Sequence, residues 1–121
     1  MHLLIYVFTE PRASAEEALE PFRQHENNDG NWVGEWDWWA EGGRWHGHLD
    51  GRNKAAASEV RGMETFPASP FGFLTLQGEW VAREFWDDNG SQKTADYEAR
   101  YSQYLASVPD ETVVTVVDIH S

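Results

Sequence analysis

The chain has 121 residues, 21 acidic against 9 basic side chains for a net charge of -12, no cysteine and seven tryptophans. That length suits one domain, 1–121, built around a single core. So acidic a surface excludes the neutralisation of phosphates on nucleic acid or on an anionic membrane, and the missing cysteines exclude disulfides, thiolate catalysis and cysteine-ligated metals.

Leu3 to Phe8 is a run of β-branched, aromatic and aliphatic residues closed by Glu10-Pro11, which predicts a buried strand. It is too short, and lacks the basic leader, for a signal peptide or a membrane span, so a cytoplasmic setting is expected. Ser14-Ala15-Glu16-Glu17 has the spacing of a capping box and predicts a helix with Ala18, Leu19 and Phe22 on its apolar side. Pro21 lacks an N–H, so this helix is expected to kink or restart there and to end before Asn27-Asn28-Asp29-Gly30.

Between Asn31 and Leu49, Trp32, Trp36, Trp38, Trp39 and Trp45 are interrupted by Gly34, Gly42, Gly43 and Gly47. The pattern predicts a strand over 33–39, a turn at Glu41-Gly42-Gly43 and a second extended segment over 44–49. Residues 50–70 read as a long connection holding one short helix. Apolar runs over 71–76 and 79–85 flank Gln77-Gly78 and predict a hairpin. After Asp87-Asp88-Asn89-Gly90, the spacing of Tyr97, Tyr101, Tyr104, Leu105 and Val108 predicts a strongly periodic helix stopped by Pro109-Asp110. A β-branched strand over 112–119 follows, with Asp118 and His120 on one face beside Val114 and Val116. There they form either a buried pair or a strand end in solvent.

This order predicts an α+β fold, a ferredoxin-like sandwich in which an antiparallel sheet carries two helices on one face and a long inserted loop. Its other face would be open to solvent, a ligand or a second copy, and a homo-oligomer is expected on that ground.

Gly42-Gly43 permits torsions closed to other residues and a close approach of main chain to whatever lies opposite. Arg44 then sits between Trp39 and Trp45, where a guanidinium stacked on indole would present its N–H groups to a phosphate or carboxylate. One reading is a pocket of Trp36, Asp37, Trp38, Trp39, Gly42, Gly43, Arg44, Trp45, His46, His48 and Trp80 around a planar anion. The other is a tight turn in a tryptophan-rich core, with Arg44 paired to Asp37 or Glu41. His46, His48 and Asp50 would project from one face of an extended strand and suit either a metal or acid–base chemistry on a phosphodiester. The preferred assignment includes neither a metal nor another cofactor.

The segment Trp36-Asp37-Trp38-Trp39-Ala40-Glu41-Gly42-Gly43-Arg44-Trp45-His46-Gly47-His48-Leu49 resembles one in a family of small bacteriophage and actinobacterial proteins. That family's segment runs aromatic-Asp-aromatic-aromatic, then Gly-Gly-Arg-Trp, a variable polar residue and Gly. Leu76-Gln77-Gly78-Glu79-Trp80, the Pro109-Asp110 turn and the closing Val116-Val117-Asp118-Ile119-His120 strand agree with it. The resemblance covers most of the chain apart from 50–70 and implies a phage setting and the host cytoplasm, without an activity.

Together these features lead to the expectation of a non-catalytic binding protein, one that captures a nucleotide-like small molecule, such as a host defence signal, by tryptophan stacking and arginine pairing. The alternatives are a metal- or histidine-dependent phosphodiesterase acting on such a molecule and an acidic protein-binding inhibitor. Nucleic acid and membrane are not expected as partners.

Overall fold

The computed structural model describes residues 1–83 and 90–121, with the backbone alone over 90–93. The expected strand end at Phe85 and the Asp87-Asp88-Asn89 turn lie outside the described residues.

The elements in chain order are β1 (His2–Thr9), α1 (Ala15–Leu19), a 3-10 turn (Glu20–Phe22), β2 (His25–Glu26), β3 (Trp32–Val33), β4 (Trp38–Glu41) and a second 3-10 turn (Gly43–Trp45). Then come β5 (Lys54–Ala56), α2 (Ala57–Val60), β6 (Gly72–Leu74), β7 (Trp80–Ala82), α3 (Gly90–Ser107) and β8 (Val113–His120). Ser14 caps α1 as its spacing requires, its Oγ accepting from the Glu17 N–H at 3.1 Å. Pro21 ends that helix in a 3-10 turn, as a residue without an N–H must. The predicted hairpin forms between β6 and β7. Among the described residues no helix is long and apolar enough to cross a membrane.

The main sheet has the order β4-β8-β1-β6-β7, with β5 following β4 along the outer edge of β8. It is mostly antiparallel, β1 and β6 being the parallel pair. The first and last strands of the chain thus lie side by side at its centre, paired from His2 opposite His120 to Thr9 opposite Val113.

Side chains of a strand alternate between faces, so the two apolar clusters define the layers. Leu4, Tyr6 and Phe8 pack with Tyr97 and Tyr101 of α3, with Val60 of α2 and with Leu49, Val114 and Val116. Ile5 and Val7 pack on the opposite face with Ala15 and Leu19 of α1 and with Trp36, Val117 and Ile119. The mixed α+β sheet therefore forms, but with α1 and α3 on opposite faces, which corrects the expected sandwich with both helices on one side. The physical reason is that β1 and β8 are apolar at consecutive positions, and a strand buried on both faces needs cover on both. The open face on which pairing with a second copy was expected is occupied.

Residues 50–70 contain β5 as well as the expected short helix, so the long connection contributes to the sheet edge. The predicted strand over 33–39 is broken in two: Trp32–Val33 pairs with β2, and Trp38–Glu41 pairs with β8. Gly34, at φ +114, marks the break, and a Cβ there would meet the backbone of Arg23 at 2.5 Å.

Candidate functional site

The tryptophans do not form one cluster. Trp36 is 4% exposed, and its indole N–H donates to the Leu19 carbonyl at 2.8 Å, so it is core. Trp39 and Trp80 pack against the same core, Trp80 with its ring centroid 5.2 Å from that of Phe22. Trp45 packs on the other side of the sheet, against the tyrosine-rich cluster. These four hold the fold. Trp38, at 47% exposure, presents its ring to solvent.

The expected extended segment over 44–49 does not form. Gly42, Gly43, Gly47, Asp50 and Gly51 all have positive φ, which no strand tolerates in series, and the chain coils through tight turns instead. His46, His48 and Asp50 consequently do not share a face. Asn53 fixes the coil: its Oδ1 accepts from the Gly47 N–H at 2.8 Å and its Nδ2 donates to Nδ1 of His46 at 3.0 Å. His48 turns the other way, its Nε2 hydrogen-bonded to the buried Tyr6 hydroxyl at 2.6 Å. Burial holds the His48 ring below the usual imidazole value and pushes Tyr6 up to about 12. Among the described residues no three His, Asp or Glu side chains are placed to hold a metal.

Arg44 neither stacks on indole nor pairs with Asp37 or Glu41. Glu41 is taken by Lys54 at 3.2 Å and Asp37 by His120, while the stacked guanidiniums are those of Arg23 over Trp36 and Arg83 over Tyr97. The backbone N–H of Arg44 donates to Oδ2 of Asp118 at 3.1 Å, and its exposed side chain forms no ion pair among the described residues. Gly42 and Gly43 make the close approach foreseen for them. Opposite Gly43 lies the Asp118 carboxylate, and opposite Gly42 the Asn53 side chain.

What assembles instead is a row across three strands. Trp38 of β4 stands opposite His120 of β8, which stands opposite His2 of β1, all on one face. The His2 ring lies 5.7 Å from the Trp38 ring and 5.3 Å from the His120 ring, edge to face in both cases. Each imidazole is held by its own carboxylate: His2 Nδ1 donates to Oδ1 of Asp118, and His120 Nδ1 to Oδ1 of Asp37, both at 2.8 Å. Asp118 is 1% exposed with both oxygens occupied. Neither Nε2 has a partner among the described residues, so two imidazoles held at Nδ1 lie beside an exposed indole.

Of the residues singled out in the sequence, Asp37, Trp38, Gly43 and Arg44 meet at this corner. His2 was missed altogether. Asp118 and His120 share the face predicted for them, yet pair with His2 and Asp37 rather than with each other. No local pattern could have supplied His2, because it joins the corner through strand pairing across 116 residues.

A cleft of about 380 Å³ lies at the other end of β1, lined by Phe8, Glu10, Ser14, Glu17, Phe22 and Leu76 among others. Its ionisable lining is acidic, which does not suit an anion. The chain matches no protein-family model, and neither curated proteins nor solved structures provide a significant match.

Proposed function

We propose that this chain binds a planar, anionic small molecule of nucleotide type at the Trp38 corner. The observation that carries the reading is the row Trp38, His120, His2, with both Nε2 edges free and Arg44 anchored on the carboxylate that holds His2. An exposed indole offers a stacking surface for a base, worth about 1–3 kcal/mol. A guanidinium supplies donors for a phosphate, and so does Nε2–H of either imidazole when that ring is protonated. Compared with the pocket expected from the sequence, the ligand contacts narrow to Trp38, Arg44, His2 and His120, with Asp37 and Asp118 orienting the rings. A phage origin and capture of a host defence signal stay within this proposal as its biological setting. Pairing of two copies, also proposed, would use the outer edge of β4, which pairs with no strand but β8 among the described residues.

Titration with adenosine 5′-monophosphate, followed by tryptophan fluorescence, tests the reading. Saturable quenching is expected, lost in Trp38→Ala and weakened at least tenfold in Arg44→Ala, with uncharged adenosine binding more weakly than the monophosphate. Unchanged fluorescence and thermal midpoint with adenosine, guanosine, cytidine and uridine monophosphates alike would overturn it.

A further inference from the structure

Two imidazoles, each fixed at Nδ1 by a carboxylate and free at Nε2, form more than an anion clamp. We infer that His2 and His120 are a general acid–base pair for cleavage of a ribonucleotide phosphodiester, an inference that rests on nucleotide binding at Trp38.

An imidazole works as base in its neutral form and as acid in its protonated form, and it passes between them near neutral pH more readily than any other unperturbed side chain. A carboxylate at Nδ1 fixes the tautomer and aims Nε2, as Asp118 does for His2 and Asp37 for His120. The ring centroids are 5.3 Å apart with their planes at 72°. That separation brings both rings within reach of a single bound phosphate.

The step balances without another reactant. One neutral ring takes the proton of a ribose 2′-hydroxyl, and that oxygen bonds to phosphorus of the adjacent 3′-phosphate. The bond from phosphorus to the 5′-oxygen breaks, and the second, protonated ring delivers its proton to that leaving oxygen. The products are a 2′,3′-cyclic phosphate and a 5′-hydroxyl. Trp38 stacks a base beside the scissile phosphate, and Arg44 pairs with its non-bridging oxygens. A net charge of -12 disfavours long RNA, so the substrate class is a short ribonucleotide, two or three nucleotides in length.

The experiment uses the full chain, ApA as a 3′,5′-linked diribonucleotide, and its 2′-deoxy counterpart, all in EDTA. The expected result is binding of both but cleavage of ApA alone, to adenosine 2′,3′-cyclic phosphate and adenosine. His120→Gln and His2→Gln should each lower turnover at saturating ApA 100-fold or more, the range for loss of acid–base catalysis, a loss beyond any weakening of deoxy-probe binding measured on the same protein. Asp37→Asn, at a positioning residue, should lower kcat less and leave KM nearly unchanged. Deoxy binding with intact ApA would overturn the catalytic inference and leave the binding proposal standing, whereas failure of both probes to bind would sink both. Equal cleavage by identically purified native and His120→Gln protein, each folded by circular dichroism, would also overturn it.

Discussion

Gly43 lies so close to Asp118 that a Cβ at position 43 would stand 2.5 Å from both the Cβ and Oδ2 of that buried aspartate. The contact lets the Arg44 N–H reach Oδ2 while His2 holds Oδ1, so one carboxylate ties the glycine turn, the last strand and the first strand together. Gly43→Ala adds a methyl where there is no room and places a side chain at φ +52. A loss of at least about 2 kcal/mol is expected from the αL penalty and the displaced aspartate together, measured by urea denaturation. A loss below about 0.5 kcal/mol would show that the turn can move away freely.

Asp118→Asn preserves shape but supplies one acceptor where two donors converge. The amide NH2 then either faces the Arg44 N–H, leaving that donor unmet at about 1–3 kcal/mol, or faces His2, whose Nδ1 must change from donor to acceptor. Chemical denaturation should detect this, together with weaker adenosine monophosphate binding as His2 loses its orientation.

Trp36 and Trp38 separate the core from the proposed site within three residues. Trp36→Phe removes buried indole and its hydrogen bond to the Leu19 carbonyl, and it should cost about 2–4 kcal/mol. Trp38→Ala on the exposed edge should change stability by less than about 1 kcal/mol while abolishing fluorescence quenching by the nucleotide. The reverse pattern in paired denaturation and binding measurements would place the ligand elsewhere.

His48 is held neutral by burial, below the ordinary value near 6.5. The unfolded chain therefore takes up a proton that the folded chain resists. The resulting stability is present above about pH 6.5 and is lost as pH falls through the folded value. In His48→Gln the dependence of the urea midpoint on pH between 5 and 7 should be shallower than in the native chain. An unaltered slope would remove His48 from the linkage.

At the alkaline end the sign reverses in origin but again destabilises. Burial raises Tyr6 to about 12 and raises Tyr97 and Tyr101 as well, so the stability these neutral phenols contribute is complete below about pH 10 and is lost as pH climbs through their folded values. Tyrosinate absorbance from these rings should appear together with the loss of helical circular dichroism, and Tyr101→Phe should move the alkaline midpoint upward.

The chain's local rules were written in its residues. Ser14 and Glu17 set the start of α1, Pro21 ends it, Gln77-Gly78 turns the hairpin, and the tyrosine spacing of α3 and the β-branched run of β8 name their elements, because each depends on neighbours a few positions away. The consecutive apolar residues of β1 and β8 also carried the sign of a sheet covered on both faces, though which helix covers which face depends on long-range packing. The crowding of tryptophans in sequence indicated something at 32–45 without saying what, since Trp32 and Trp38 are solvent-facing and the other three indoles of that segment serve two different cores. Only the tertiary structure decided that the first and last strands pair, bringing His2 beside His120 and Asp118 at the corner proposed as the site. A β-ladder matches residues by backbone hydrogen bonds that are blind to sequence distance, and so the chemistry of this corner has no local signature.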